Sequence, residues 1–106
     1  MKYMMLVCVD PALTPNDDGP TIEEWLAEVE GKRLDGSELM SVRDATTVRT
    51  RGHEVLLTDG PFAETREWIA GYDVIDCADL DEAIQIASHH PCARFGAIEV
   101  RPFPKD

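Results

Sequence analysis

The amino-acid sequence predicts an α+β domain in which one antiparallel sheet carries two helices on the same face, together with an added β-hairpin. Three observations lead to this fold class: an apolar run opens the chain, two amphipathic helical segments follow capping signals, and several strand-like segments separate the helices. The chain has 106 residues, of which 43% are hydrophobic. We therefore expect a single domain over residues 1–106 with a core of its own.

The first strand and the first helix are predicted near the start of the chain. Residues 3–9 are a continuous apolar run, which is typical of a central strand buried on both faces. Thr21 and Glu24 have the spacing of a capping box, so a helix is expected to begin there and to end near Gly36. The predicted buried face of this helix is Ile22, Trp25, Leu26 and Val29.

The middle of the chain predicts strands. Residues 38–42 favour a short strand, and residues 46–51 and 54–58 flank Gly52-His53, which is a hairpin signal. A further strand is expected over residues 68–77.

A second helix and a last strand complete the pattern. Asp79 is the expected N-cap with Glu82 as its partner, and Pro91 ends the helix. Its predicted buried face is Leu80, Ala83, Ile84 and Ala87, and the last strand is expected over residues 97–101. This order indicates a ferredoxin-like arrangement. Its open sheet face needs a cover, for which we expect a second copy of the chain.

Charge and cysteine content limit the partners and the compartment. A net charge of −11 argues against binding to nucleic acid or to an anionic membrane surface. The three cysteines, Cys8, Cys77 and Cys92, have no paired spacing, and no signal peptide precedes them, so we expect reduced thiols and a cytoplasmic protein. The longest apolar stretch is far below the roughly 20 residues of a spanning helix.

Two segments resemble a known family. Residues 58–67 contain Asp-Gly-Pro-Phe and are followed by Ala70-Gly71-Tyr72, which is similar to the DGPF signature of the YCII-related family. Residues 91–102 also resemble that branch, and the order of elements agrees over essentially the whole chain. The resemblance implies a ferredoxin-like fold and a homodimer related to dimeric α/β barrels. It implies no assigned reaction. Some relatives are encoded beside extracytoplasmic-function sigma factors, which points to a regulatory or stress setting.

Better-known YCII members carry a histidine and a nearby acid as a proposed catalytic pair. That histidine would fall near Trp25, and the predicted first helix contains no histidine. The resemblance therefore does not carry that mechanism over to this chain.

The Asp-Gly-Pro-Phe turn contains the first candidate site residues. Asp59 either closes a turn through a hydrogen bond from its side chain to its own backbone, or it acts as a general base at a strand end. In the second case Phe62 would form an apolar wall of the site. Arg66 forms a surface ion pair, or it binds a carboxylate or enolate oxygen of a ligand. Tyr72 packs in the core or presents its hydroxyl to a pocket.

Two further candidates come from the second half of the chain. His90 could act as a proton shuttle if it faces Asp59 across the sheet, and Arg94 could stabilise negative charge. Because no metal-ligand spacing and no nucleotide-binding motif is present in the sequence, we expect neither a metal nor a cofactor.

Two functions remain open at this point. The first is a homodimer that binds a small oxygen-rich organic molecule, with or without cofactor-independent isomerase- or lyase-like chemistry. That function requires a titratable group with a shifted pKa inside a concave pocket. The second is a non-catalytic regulatory or interaction protein, which requires an exposed apolar patch away from those groups.

Overall fold

The computed structural model describes residues 1–14, 18–61 and 68–105. These ranges contain six strands and two α-helices: β1 (Lys2–Val9), α1 (Ile22–Glu28), β2 (Arg33–Glu38), β3 (Thr46–Arg51), β4 (Glu54–Asp59), β5 (Trp68–Asp76), α2 (Leu80–Ser88) and β6 (Gly96–Pro102). Short 3-10 helices span Val42–Asp44 and Pro91–Arg94. The α+β class predicted from the sequence is confirmed.

The strands form two sheets. Four of them make one antiparallel sheet in the order β2-β5-β1-β6, and β3 pairs with β4 in a separate two-stranded sheet. The strand order is compatible with a ferredoxin-like fold to which a hairpin has been added between β2 and β5.

The core lies between the helices and one face of the large sheet. Along the central strand β1, the side chains of Tyr3, Met5 and Val7 are buried, whereas those of Met4 and Leu6 on the other face are half-buried. Both helices pack on the buried face. The two-sided burial predicted for this strand is therefore not reached within a single chain.

Helix α1 begins as predicted but ends early. The Thr21 hydroxyl accepts from the Glu24 N–H at 3.1 Å, and the Glu24 carboxylate accepts from the Thr21 N–H at 3.3 Å. The helix ends at Glu28, and Gly31 adopts a left-handed conformation with φ of 85°. Gly36 is therefore not the helix stop; it lies within β2, which replaces the strand expected over residues 38–42.

The buried face of α2 differs from the predicted one. Ala83, Ile86 and Ala87 are buried, but Leu80 and Ile84 are 50% and 53% exposed. The predicted and the observed positions both have helical spacing, and docking against the sheet buries the set that contains Ile86. The indole N–H of Trp25 reinforces this docking by donating to the Ile86 carbonyl at 2.9 Å.

The β3–β4 hairpin extends away from the core. Its turn contains Gly52 with φ of 61°, and every residue of β4 is exposed. Val48, Val55 and Leu57 are each more than 60% exposed. The radius of gyration is 15.8 Å, against about 13 Å for a compact domain of this length, which reflects the extended hairpin.

No helix in the described part of the chain is both long enough and apolar enough to span a bilayer.

Candidate functional site

A cleft of about 440 Å³ opens between α1 and strands β1, β2 and β5. Its walls are mainly apolar, and the side chains forming them include Val7, Val9, Ile22, Trp25, Leu26 and Ala70. Ile22 and Leu26 are each 40% exposed although the sequence predicts them as core, because they face this cleft. A concave, mostly apolar cavity with a few polar groups is typical of small-molecule sites.

An ion pair lies in the cleft. Arg33 Nε donates to Asp73 Oδ1 at 2.8 Å, and the Asp73 residue is only 6% exposed. Asp73 lies on β5 opposite Met5 of β1 and Gly36 of β2. A methyl group on Gly36 would collide with the Asp73 carboxylate and the Arg33 guanidinium. Glycine at this position therefore makes room for the ion pair.

His90 contributes the imidazole of the cleft. The residue is 6% exposed, and its Nδ1 accepts from the Cys92 backbone N–H at 3.0 Å. Its ring packs edge-on against Trp25, with the ring centroids 4.7 Å apart. Burial lowers the pKa of His90, and the positive charge of Arg94 lowers it further, while the negative charge of Asp73 opposes both effects. These surroundings therefore favour the neutral imidazole.

Two other polar side chains at or near the cleft have restricted chemistry. Burial raises the pKa of the Cys92 thiol, so that the thiol remains protonated and is a poor nucleophile. The Tyr72 hydroxyl donates to Asp35 Oδ2 at 3.1 Å, and this hydrogen bond raises the pKa of Tyr72. Neither group is therefore activated for nucleophilic attack.

The residues predicted from the sequence are only partly brought together. His90 lines the cleft, whereas Asp59 is the exposed last residue of β4 and is not among the lining residues. Tyr72 borders the cleft through its position on β5, but it is paired with Leu6, so its ring lies on the opposite face of the sheet. Arg94 is also outside the lining, and its Nη1 donates to the Pro20 carbonyl at 3.1 Å. Phe62 and Arg66 lie outside the described residues.

Arg33, Glu38 and Asp73 also line the cleft, although no sequence pattern singled them out. One local signal was available for His90, because it continues the buried stripe of α2 at the i+7 position after Ala83. The Arg33–Asp73 pair had no local signal, since it depends on the register between β2 and β5.

Among residues 1–14, 18–61 and 68–105, no group of three or more His, Cys, Asp or Glu side chains could hold a metal ion.

Comparison with known proteins identifies a family and a relative. The family model described as the YCII-related domain matches residues 1–104. An uncharacterised protein of Rhizobium meliloti (strain 1021) is 42% identical over 113 residues, and the alignment covers 96% of this chain and 91% of that protein.

Proposed function

Because this chain belongs to the YCII-related family, in which the matched relative is uncharacterised, we propose for it the function that its cleft supports. It is a cytoplasmic homodimer of the DGPF branch, related to dimeric α/β barrels. Its cleft binds a small organic molecule with an apolar body and at least one oxygen atom.

The observation that carries this proposal is the presence of buried polar groups inside an apolar cleft. His90 and Asp73 are each 6% exposed, and both line a cavity of about 440 Å³. Burying such groups is costly unless they have partners, and buried polar groups that line a concave cavity are typical of functional sites. A core selected for stability alone would favour apolar side chains at these positions.

The proposal extends to catalysis, in which the cleft carries out acid–base chemistry on its ligand without a cofactor. It needs a group that polarises a carbonyl and a carboxylate that removes a neighbouring proton. Glu38 lines the cleft and is exposed, whereas Asp73 is engaged by Arg33. In this proposal Glu38 is the carboxylate within the cleft. Asp59 would serve as the base only for a ligand bound at the hairpin.

The open face of the large sheet supports the homodimer. Met4 and Leu6 of β1 and Val74 of β5 are half-buried there, and the charged residues Glu99 and Arg101 of β6 lie beside them. An apolar centre with a charged rim is typical of protein–protein interfaces.

A second function is favoured by a different observation. On one face of the β3–β4 hairpin, Val48 pairs with Leu57 and Thr50 pairs with Val55. Isolated two-stranded sheets are only marginally stable in water, so this apolar face suits contact with another protein. A regulatory interaction protein, in the sigma-factor setting that the resemblance implied, is therefore the alternative.

Trp25 fluorescence tests the ligand-binding proposal. Since the chain has two tryptophans, the Trp68→Phe variant leaves Trp25, which lines the cleft, as the reporter. We expect some members of a panel of small ketones, carboxylic acids and hydrocarbons to change its emission with saturable affinity. Val9→Phe, which fills part of the cleft, should abolish the effect, and Leu34→Phe at a 55% exposed position is the matched control. Saturable binding that persists in Val9→Phe would place the ligand elsewhere.

A further inference from the structure

We propose that His90 serves the cleft as a hydrogen-bond donor of fixed tautomer, and that the preferred ligand is a neutral molecule with a carbonyl oxygen and an apolar body. This inference rests on the proposed ligand-binding function of the cleft. It adds the chemical class of the ligand and assigns a role to one residue.

The tautomer follows from the hydrogen bond to Nδ1. The backbone N–H of Cys92 donates to His90 Nδ1 at 3.0 Å. A backbone N–H can only donate, so Nδ1 must present a lone pair. A neutral imidazole has one protonated nitrogen, and in His90 that nitrogen is therefore Nε2.

The surroundings hold the imidazole in this orientation. His90 is the N-cap of the 3-10 helix Pro91–Arg94, and its ring packs against Trp25 at an interplanar angle of 68°. Among the described residues, no group forms a hydrogen bond with Nε2, although the residue is 6% exposed and lines the cleft. Nε2 keeps some exposure to solvent, so its N–H is available to a ligand oxygen that enters the cleft.

The charges near His90 favour a neutral ligand. Asp73 on β5 and Arg94 on the 3-10 helix act on the imidazole with opposite signs. From β2, Arg33 lines the cleft but is already paired with Asp73, and Glu38 adds a negative charge. The described residues that line the cleft therefore offer no surplus positive charge for a carboxylate or phosphate. A carbonyl oxygen needs only a donor, and His90 supplies one.

This role differs from the proton shuttle predicted from the sequence. A shuttle takes a proton at a free nitrogen lone pair. In His90 the lone pair is on Nδ1 and is occupied by the Cys92 N–H, while Nε2 already carries the proton. His90 therefore polarises a carbonyl without taking a proton from the ligand.

Two measurements test the inference. The first is long-range ¹H–¹⁵N NMR of the free protein at pH 7.5, in which we expect the His90 proton on Nε2. The second compares acetophenone with α-methylstyrene, which has nearly the same shape but carries a CH₂ group in place of the oxygen. Because acetophenone gains one hydrogen bond from the Nε2–H group, it should bind about tenfold more tightly. His90→Phe should remove this preference, and His90→Gln, which retains a side-chain N–H, should keep part of it.

Each outcome decides the inference. A proton on Nδ1 in the wild-type protein would overturn it, and this measurement depends on no variant folding correctly. Equal binding of the two probes to wild-type protein would also overturn it, while leaving the cleft as a ligand site. If neither probe binds and the wider panel also fails, the proposed function falls together with the inference.

Discussion

We expect His90 to make the free energy of unfolding depend on pH. The reason is that protonating a buried imidazole places a positive charge where water solvates it poorly. Its pKa is lowered in the folded chain, mainly by burial, whereas in the unfolded chain it is about 6.5. Below this value the unfolded chain binds more protons than the folded chain, so the free energy of unfolding falls as pH falls. The loss begins near pH 6.5 and ends below the folded pKa, and its slope cannot exceed about 1.4 kcal/mol per pH unit.

We therefore predict that His90→Gln flattens this part of the stability profile. Urea unfolding between pH 5 and pH 8 should show the wild-type protein losing stability relative to His90→Gln as the pH drops below about 6.5. His53→Gln is the control for the loss of a histidine, because it lies in the exposed hairpin turn, away from the cleft. Parallel curves for wild type and His90→Gln would contradict a folded-state pKa below that of the unfolded chain.

Gly36 is predicted to be coupled to the ion pair beside it. A methyl group there would collide with Asp73 and Arg33, so Gly36→Ala should lower the free energy of unfolding by about 1–3 kcal/mol. Asp73→Ala removes the carboxylate that the methyl group meets. In a double-mutant cycle, Gly36→Ala should therefore cost less in the Asp73→Ala background than in the wild type. Additive losses would show that the two positions are independent.

At the level of elements, helix α1 depends on its capping box because it has only seven residues. Thr21→Ala removes the hydroxyl that accepts from the Glu24 N–H, and we expect a loss of about 1 kcal/mol. Thr21→Ser retains the acceptor and is the matched control. Chemical unfolding of the two variants checks the prediction, and equal stabilities would mean that packing of Trp25 alone holds the helix in place.

Some features of the helices could be predicted from the sequence and others could not. Helix starts were predicted correctly because a cap is a local arrangement, as Asp79 accepting from the Glu82 N–H at 2.9 Å again illustrates. The end of α1 and the buried face of α2 were not predicted correctly. On α2, Ile84 and Ile86 both fit a helical stripe, and only docking against the sheet distinguishes them.

The same distinction applies to the candidate site. His90 could be singled out from its residue type and from its place after a helix. Its neighbour Asp73 could not, because the residue lies in an apolar strand and acquires its partner Arg33 through strand pairing across 40 positions of the chain.

On the scale of the whole molecule, the chain is a flat body of 46 × 40 × 18 Å whose helices cover only one face of the large sheet. Burial of the other face against a second copy would remove Met4, Leu6 and Val74 from water and would account for the apolar run that predicted two-sided burial. A stable interface of this kind should bury at least about 1,000 Å² in total.

We predict a homodimer that Leu6→Lys disrupts. Leu6 lies at the centre of the open face, between Tyr72 and Glu99 on the neighbouring strands, so a lysine there would place a charge at the middle of the interface. Sedimentation at micromolar concentration should show dimers of the wild-type chain and monomers of Leu6→Lys. Ile84→Lys, at a 53% exposed position on α2, is the control for an added lysine and should remain dimeric.

The net charge supplies an independent check on the same dimer. Each chain carries −11, so association brings two like-charged bodies together, and added salt should screen their repulsion. The dimer dissociation constant of the wild-type protein should therefore fall as the salt concentration rises from about 0.01 M to about 0.15 M, where the screening length shortens from about 30 Å to about 8 Å. The melting temperature should also rise with protein concentration, because dissociation accompanies unfolding. Monomers at every salt concentration, with a melting temperature independent of protein concentration, would contradict the homodimer and leave the open face to a different partner.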